Sequence, residues 1–527
     1  MKKNDEVILK IEDMSETGEG IGHVDGLTLF VKDAVIGDVV RAGITKVKKT
    51  YCYARTIEVT EPSPDRVVPV CPVNRQCGGC QLQAMSYKAQ LEFKQKKVKA
   101  CLERIGGFEV SEGPEENGTD RDNNGDIRQI RINDTIGMEE PWHYRNKAQF
   151  PIRRGRDGKP VAGFYAGRTH AIIPCANCAI EFPGHEKILS AVLSYMEEAN
   201  VSAYDEESGS GVLRHVLMRK GFSTGEIMVV LVVNAKKIKR PELLVSKLTD
   251  IDFGEDGGKN GPSPEIVSIQ LNVNTEKTNV ILGRECVTIF GRDYIEDRIG
   301  NVRFRISALS FYQVNPVQTG VLYKKALEAC FKDMANKSGD ETALKDKTVW
   351  DMYCGIGTIS LFIAGHAGKV YGVEIVPEAI MNAKENARLN NISNAEFFVG
   401  AAEEVVPGLY KKDKEKYSAD IVVVDPPRKG CDATLLETLI KMAPERIVYV
   451  SCDPATLARD LKILADGGYE VKNVQPVDMF PGTVHVETVC LLQKMSNTRE
   501  RAITLDVEME DYHRIKNRTE VTADATE

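Results

Sequence analysis

Three groups of residues in this 527-residue sequence have the types and spacing to do chemistry. The first is Cys452, at the end of the apolar run RIVYVSC and followed by Asp453, Pro454 and the helix-forming stretch ATLARDLKIL. A thiol at a strand end, at the mouth of a cleft, is placed to act as a nucleophile, and the thiolate is the attacking form. Because a free cysteine ionises near pH 8.5, such a site is expected to favour the thiolate through helix amides or a nearby cation. The second group is DMYCGIGTIS, a strand entering a glycine turn that opens a helix, with Gly355 and Gly357 where backbone must approach a ligand closely. Glu374 ends the following strand, at the spacing of a carboxylate that accepts hydrogen bonds from a ribose diol. Ser360 stands where a dinucleotide fingerprint would carry its third glycine, so the wider turn suits a nucleoside cofactor without a pyrophosphate. The third group is CPVNRQCGGCQLQ, with Cys71, Cys77 and Cys80 around Gly78 and Gly79, to which AIIPCANCAIEF adds Cys175 and Cys178. Soft thiolate ligation suits zinc or an iron–sulfur cluster, and the spacing leaves both open.

These groups need several domains to position them, since a chain of this length exceeds one compact core. Apolar residues make up 42% of the sequence and charged ones 28%, the balance of a soluble globular protein. No apolar run is long enough to span a bilayer, and the N-terminus MKKNDEVILKIEDM lacks the apolar stretch of a signal peptide. A cytoplasmic protein is therefore expected, with no membrane partner, and there the 13 cysteines would be thiols or ligands rather than a disulfide framework.

Residues 1–62 read as a small β-barrel of short alternating segments with glycine-bearing turns. Residues 63–305 read as a central α+β domain carrying the cysteine cluster, a helix over 86–108 and a mobile acidic insertion over 109–138. A second Gly/Asp/Pro-rich loop falls at 254–264. From 306 to 495 strands and helices alternate, and DIVVVDPP and RIVYVSCDP are apolar runs of strands buried on both faces. This is a doubly wound α/β sheet, closed by VKNVQPVDMF and HVETVCLLQK as an antiparallel pair, and 496–527 is a charged tail. The net charge of −8 disfavours a nucleic-acid partner, yet the acids crowd into 111–126, 250–258 and the tail, leaving basic stretches at 45–55, 94–104 and 153–160.

The blocks FYQVNPVQTGVLY, DMYCGIGTISLF, GVEIVPEAI, VVVDPPRKG and YVSCDPATLARDL, in this order across 306–493, resemble the RNA uracil-C5 methyltransferases. The first sixty residues resemble the TRAM domain that often precedes them, an OB-like barrel. The resemblance implies a class I (Rossmann-like) fold and transfer of a methyl group from S-adenosylmethionine to carbon 5 of a uridine. It implies that Gln313, Tyr353, Glu374 and Asp425 contact the cofactor, with Asp425 also facing the uracil edge. It makes Cys452 the nucleophile that adds to carbon 6, and Glu487, in FPGTVHVET, the base that removes the carbon-5 proton. By the same resemblance Cys71, Cys77, Cys80 and Cys178 hold a [4Fe-4S] cluster, with Cys175 the second choice for the fourth position and zinc the alternative occupant. The barrel and the cluster tilt the expected substrate toward 23S ribosomal RNA over transfer RNA, acted on by a monomer. A methyltransferase acting on an exocyclic nitrogen would carry an aromatic after its D-P-P block, where Arg428 stands here. A non-catalytic RNA-binding module would have no use for the Cys452 and Glu487 pair.

Overall fold

The computed structural model describes residues 1–113, 129–166, 171–254, 261–331 and 345–495. The core of the loop expected at 254–264, the middle of the stretch expected as an insertion, and the tail over 496–527 lie outside these residues.

The first sixty residues form a six-stranded sheet in which Val39–Val47 pairs antiparallel with both Glu6–Lys10 and Tyr51–Glu61, and Tyr51–Glu61 runs parallel to Leu27–Lys32. Alternation decides its faces. Leu29, Val31, Cys52 and Ala54 point into a core with Leu9, Val40 and Ile44. The central unit is a seven-stranded, mostly antiparallel sheet built on Lys147–Arg154, Leu213–Lys220 and Glu226–Val233. The helix His185–Glu198 buries Ile188, Leu189, Val192 and Met196 in the core on that sheet.

The third sheet has nine strands. Its parallel part runs in the order Ala395–Val399, Lys369–Glu374, Thr348–Met352, Ile421–Val424, Arg446–Ser451. The antiparallel Glu487–Lys494 and Tyr469–Val477 follow. The strand order reverses between Thr348–Met352 and Ile421–Val424, and a doubly wound sheet binds ligands at that point beyond the strands' carboxyl ends. Every residue of Ile421–Val424 and Arg446–Ser451 is buried, as central parallel strands require.

Part of the stretch expected to be a mobile insertion is ordered. Glu109–Glu112 and Gln129–Ile132 pair in parallel and extend this sheet beyond Tyr469–Val477. Val110, Ile130 and Ile132 are buried there, and these single apolar residues among charged ones gave too weak an alternation to read. The preceding helix, Tyr87–Cys101, ends in a π-turn over Leu102–Gly106 and packs on the helix Pro454–Asp466. Its Lys94 is fully buried, paired with the equally buried Asp478, and donates to Phe480 O at 3.1 Å. No helix among the described residues is long and apolar enough to cross a membrane.

Candidate active site

A cavity of about 880 Å³ opens at the switch point of the nine-stranded sheet. One wall is the glycine turn. Tyr353, Gly355 and Gly357 all take positive φ, of 67°, 55° and 81°, so the chain reverses sharply before the helix Thr358–Ala364. At Gly357 any side chain would be strained and would press on Ala383 and the Phe397 ring at 3.2 Å. Glu374 ends its strand facing this turn. Its carboxylate accepts from Gly355 N at 3.2 Å and Val376 N at 3.0 Å, which fixes it at the cavity edge. Gln313 enters from the loop before the helix Pro316–Phe331, held by its backbone carbonyl, which accepts from Asn146 Nδ2 at 2.9 Å. Tyr353, Gln313, Glu374 and Asp425 line this one cavity.

The opposite end carries Cys452 and Glu487, also in the cavity wall. They are 35 positions apart, and sheet register brings them together. Ser451 pairs with Thr488 across the antiparallel strands, so the next step along each strand sets Cys452 beside Glu487. Burial pushes the Glu487 carboxyl up to about 8; Asp425 adds to the shift and Arg428 opposes it. Burial also pushes Asp425 up to about 7 and Asp351, which accepts from Ser360 Oγ, up to about 7. Three carboxyls at this cavity thus change charge near neutrality, the behaviour of groups held for function or for a cationic guest.

The thiol of Cys452 differs from expectation. Burial, followed by Glu487 and Asp425, pushes it up to about 11 despite Arg428. The helix amides do not help it, because Asp453 caps that helix and accepts from Ala455 N at 3.0 Å and Thr456 N at 3.1 Å. The cation is present and the amides are already taken.

The cysteine-bearing loop reaches this cavity. Cys71 precedes the turn Asn74–Cys77, which Gly78 closes at φ 67°, and Gly79 lines the cavity together with Arg145. The Cys175 thiol feels Cys71 and Cys77, and the Cys178 thiol feels Cys80 and Cys175, so all five lie in one neighbourhood. All are free thiols. Among the described residues no group of three His, Cys, Asp or Glu side chains stands close enough to hold a metal ion.

Residues 264–495 match the family profile described as tRNA (Uracil-5-)-methyltransferase, and residues 2–57 match the TRAM domain. An uncharacterized RNA methyltransferase of Halalkalibacterium halodurans is 48% identical over 94% of this chain and 98% of its own. One from Clostridium tetani is also 48% identical, over 93% and 97%. The chain belongs to the RNA uracil-C5 methyltransferases. Among solved structures, the Pyrococcus abyssi tRNA (uracil-54, C5)-methyltransferase, in complex with S-adenosyl-L-homocysteine, is 27% identical with a TM-score of 0.68, over 92% of this chain and 99% of that one. An S-adenosylmethionine-dependent RNA methyltransferase needs room for a nucleoside and a base in one cleft, and this cavity joins both ends.

Sequence reading of the methyltransferase missed several residues of the cavity wall. By its sequence Arg428 stands out only as a non-aromatic residue after D-P-P, yet it is the cation that opposes the rise of both Cys452 and Glu487. Its place directly after D-P-P was the available signal. Arg145 lines the cavity and its Nε donates to the buried Glu181 at 3.1 Å, a contact between distant segments that no local pattern announces. Asp351, near the end of an apolar strand, and Phe311, in a loop at 71% exposure, also line the cavity.

Proposed function

We propose that this methyltransferase transfers the methyl group of S-adenosylmethionine to carbon 5 of a uridine, with Cys452 as the covalent nucleophile and Glu487 as the base. The observation that carries the reading is the junction of Cys452, Glu487 and Asp425 with the glycine turn and Glu374 in one cavity. Gln313, Tyr353, Glu374 and Asp425 are the residues that would hold the cofactor. Bound there, S-adenosylmethionine supplies an electrophilic methyl group on a sulfonium. The Cys452 thiolate adds to carbon 6, and the ring electrons collect on the carbonyl as an enolate, which makes carbon 5 nucleophilic. After methylation Glu487 takes the proton from carbon 5. The electron pair of that C–H bond restores the 5,6 double bond and expels the thiolate. With a carboxyl at about 7, Asp425 can both donate to and accept from the uracil edge.

Fluorine at carbon 5 cannot leave as a proton, so RNA carrying 5-fluorouridine at the target should stall as a covalent protein–RNA adduct. The adduct should be absent with Cys452→Ala. No adduct from the wild-type enzyme on an RNA it otherwise methylates would sink the mechanism.

The features that favoured 23S ribosomal RNA were the barrel and the cysteine cluster. The Pyrococcus abyssi relative bears on this, since its alignment spans 92% of this chain and so includes part of the barrel, while that enzyme is a tRNA (uracil-54, C5)-methyltransferase. Ribosomal RNA remains the first reading and transfer RNA the second; mapping 5-methyluridine in both from a deletion strain separates them. For the cysteines, we propose that Cys71, Cys77, Cys80 and Cys178 hold a [4Fe-4S] cluster in a structural role. The donor set supports this, since the five cysteines of the two segments share one neighbourhood and thiolate is the ligand such a cluster takes.

A further inference from the structure

We propose that one outer face of the N-terminal barrel is a base-stacking platform for a single-stranded stretch of the RNA, formed by Phe30, Tyr51 and Tyr53. The assignment rests on the reading of the chain as an enzyme acting on RNA, and it names the part of the barrel that touches the substrate.

The face follows from register. Leu27–Lys32 runs parallel to Tyr51–Glu61 with Thr28 beside Tyr51, Phe30 beside Tyr53 and Lys32 beside Arg55. The alternate residues, Leu29, Val31, Cys52 and Ala54, fill the barrel core, so the first set points outward. Lys46 pairs with Tyr53 on the far side and Ile21 with Phe30 on the near side, which continues the outward row over four strands. The three rings touch one another, with centroids 5.6, 5.7 and 5.6 Å apart, and all three stay half-buried rather than covered. A barrel needs no aromatic trio on its outer face, whereas unpaired bases stack on such rings whatever their sequence.

Charge selects the occupant. Within 27–32 and 46–55 every charged residue is basic: Lys32, Lys46, Lys48, Lys49 and Arg55, all exposed. That local excess stands against a chain of net charge −8, and it matches a phosphate backbone. The face also touches the cysteine-bearing loop that reaches the catalytic cavity. Lys32 Nζ donates to Arg75 O at 3.3 Å, and Arg75 sits in the turn Asn74–Cys77, just before the cavity-lining Gly79. Bases inside a duplex hide their faces, so the platform calls for an unpaired strand, as does attack on carbon 6 of the target.

The test uses the full-length protein and a fluorescein-labelled single-stranded oligoribonucleotide, with a blunt duplex of the same length for comparison, followed by anisotropy. Phe30→Leu and Tyr53→Leu keep bulk and remove the ring face; each should weaken single-strand binding about 5- to 100-fold and leave duplex binding unchanged. Tyr53→Phe should bind like the wild type. Lys32→Gln and Lys46→Gln should each lower the slope of log affinity against log salt by about one. Photo-crosslinks from 4-thiouridine in the oligonucleotide should map to residues 30, 51 and 53, a readout that needs no variant to fold. At saturating 5-fluorouridine RNA the leucine variants should still form the Cys452 adduct, which separates the platform from the chemistry. Wild-type affinity in a folded leucine variant, a Tyr53→Phe loss equal to that of leucine, or crosslinks confined to the other domains would each overturn the assignment.

Discussion

Replacing Glu487 with glutamine should abolish methyl transfer and yet make Cys452 more reactive toward a small electrophile. Burial is the largest cause of the raised thiol, and the Glu487 and Asp425 carboxylates follow. With a pKa of about 11, close to 0.1% of the thiol is ionised at pH 8, about two orders of magnitude less than for a free cysteine. Glutamine keeps the size of glutamate and removes its charge, so the thiol falls back toward its ordinary range. Each unit regained is about tenfold more thiolate. Because Glu487 itself ionises at about 8, the gain must depend on pH. At pH 9 the wild-type carboxylate is charged and suppresses the thiolate, so Glu487→Gln should alkylate with iodoacetamide about 3- to 10-fold faster. At pH 6.5 the wild-type carboxyl is already neutral, and the two proteins should react at the same rate. Arg428→Gln should act in the opposite sense, because its guanidinium lowers both the thiol and Glu487. The chain has 13 cysteines, so the rate is read on the Cys452 peptide by mass spectrometry. Equal acceleration at both pH values would mean that glutamine merely opens access, and no acceleration at pH 9 would refute the electrostatic account.

Protein purified without oxygen should carry about four irons and four labile sulfides per chain, lost in Cys77→Ser and Cys80→Ser; one zinc and no iron would replace the cluster by the alternative. Lys94→Met strands the fully buried Asp478, and removing one partner of such a pair costs about 3–5 kcal/mol. The thermal transition should drop in Lys94→Met and largely recover in Lys94→Met with Asp478→Leu. An unchanged transition in the single variant would mean that Asp478 keeps adequate partners in Tyr87 and the backbone.

What was legible in the sequence was whatever local pattern encodes. The continuous apolar runs DIVVV and RIVYVS become the central parallel strands, and the spacing of Gly355 to Glu374 becomes a hydrogen bond. What was hidden depends on register and long-range packing. Nothing local says that Glu487 lies beside Cys452; that follows from the pairing of Ser451 with Thr488. Arg145 reaches the cavity only through the fold of the central domain. The thiol lacks the expected help from helix amides for a readable reason. An aspartate directly before a proline is a helix-start signal, and the Asp453 cap takes the amides that a thiolate would otherwise use.

The buried carboxyls also determine how substrate and product are told apart. Asp351 and Asp425 at about 7 and Glu487 at about 8 all line the cavity that the sulfonium would enter. S-adenosylmethionine and S-adenosylhomocysteine share every other charge and differ at the sulfur, which is cationic only before transfer. A carboxyl whose pKa is raised by burial holds its proton at low pH and presents no charge to the sulfonium; as pH rises through 7 to 8 it ionises and attracts the cation. At an effective dielectric constant of about 20, a unit charge about 10 Å away contributes about 1.7 kcal/mol, more than tenfold in affinity. The affinity ratio of S-adenosylmethionine over S-adenosylhomocysteine should therefore climb at least tenfold between pH 6 and pH 9, with proton release on binding of the sulfonium alone. Asp425→Asn should flatten that climb. Calorimetry in two buffers of different ionisation enthalpy measures both quantities. A ratio independent of pH would mean that these carboxyls are screened from the sulfur, and discrimination would then have to come from shape.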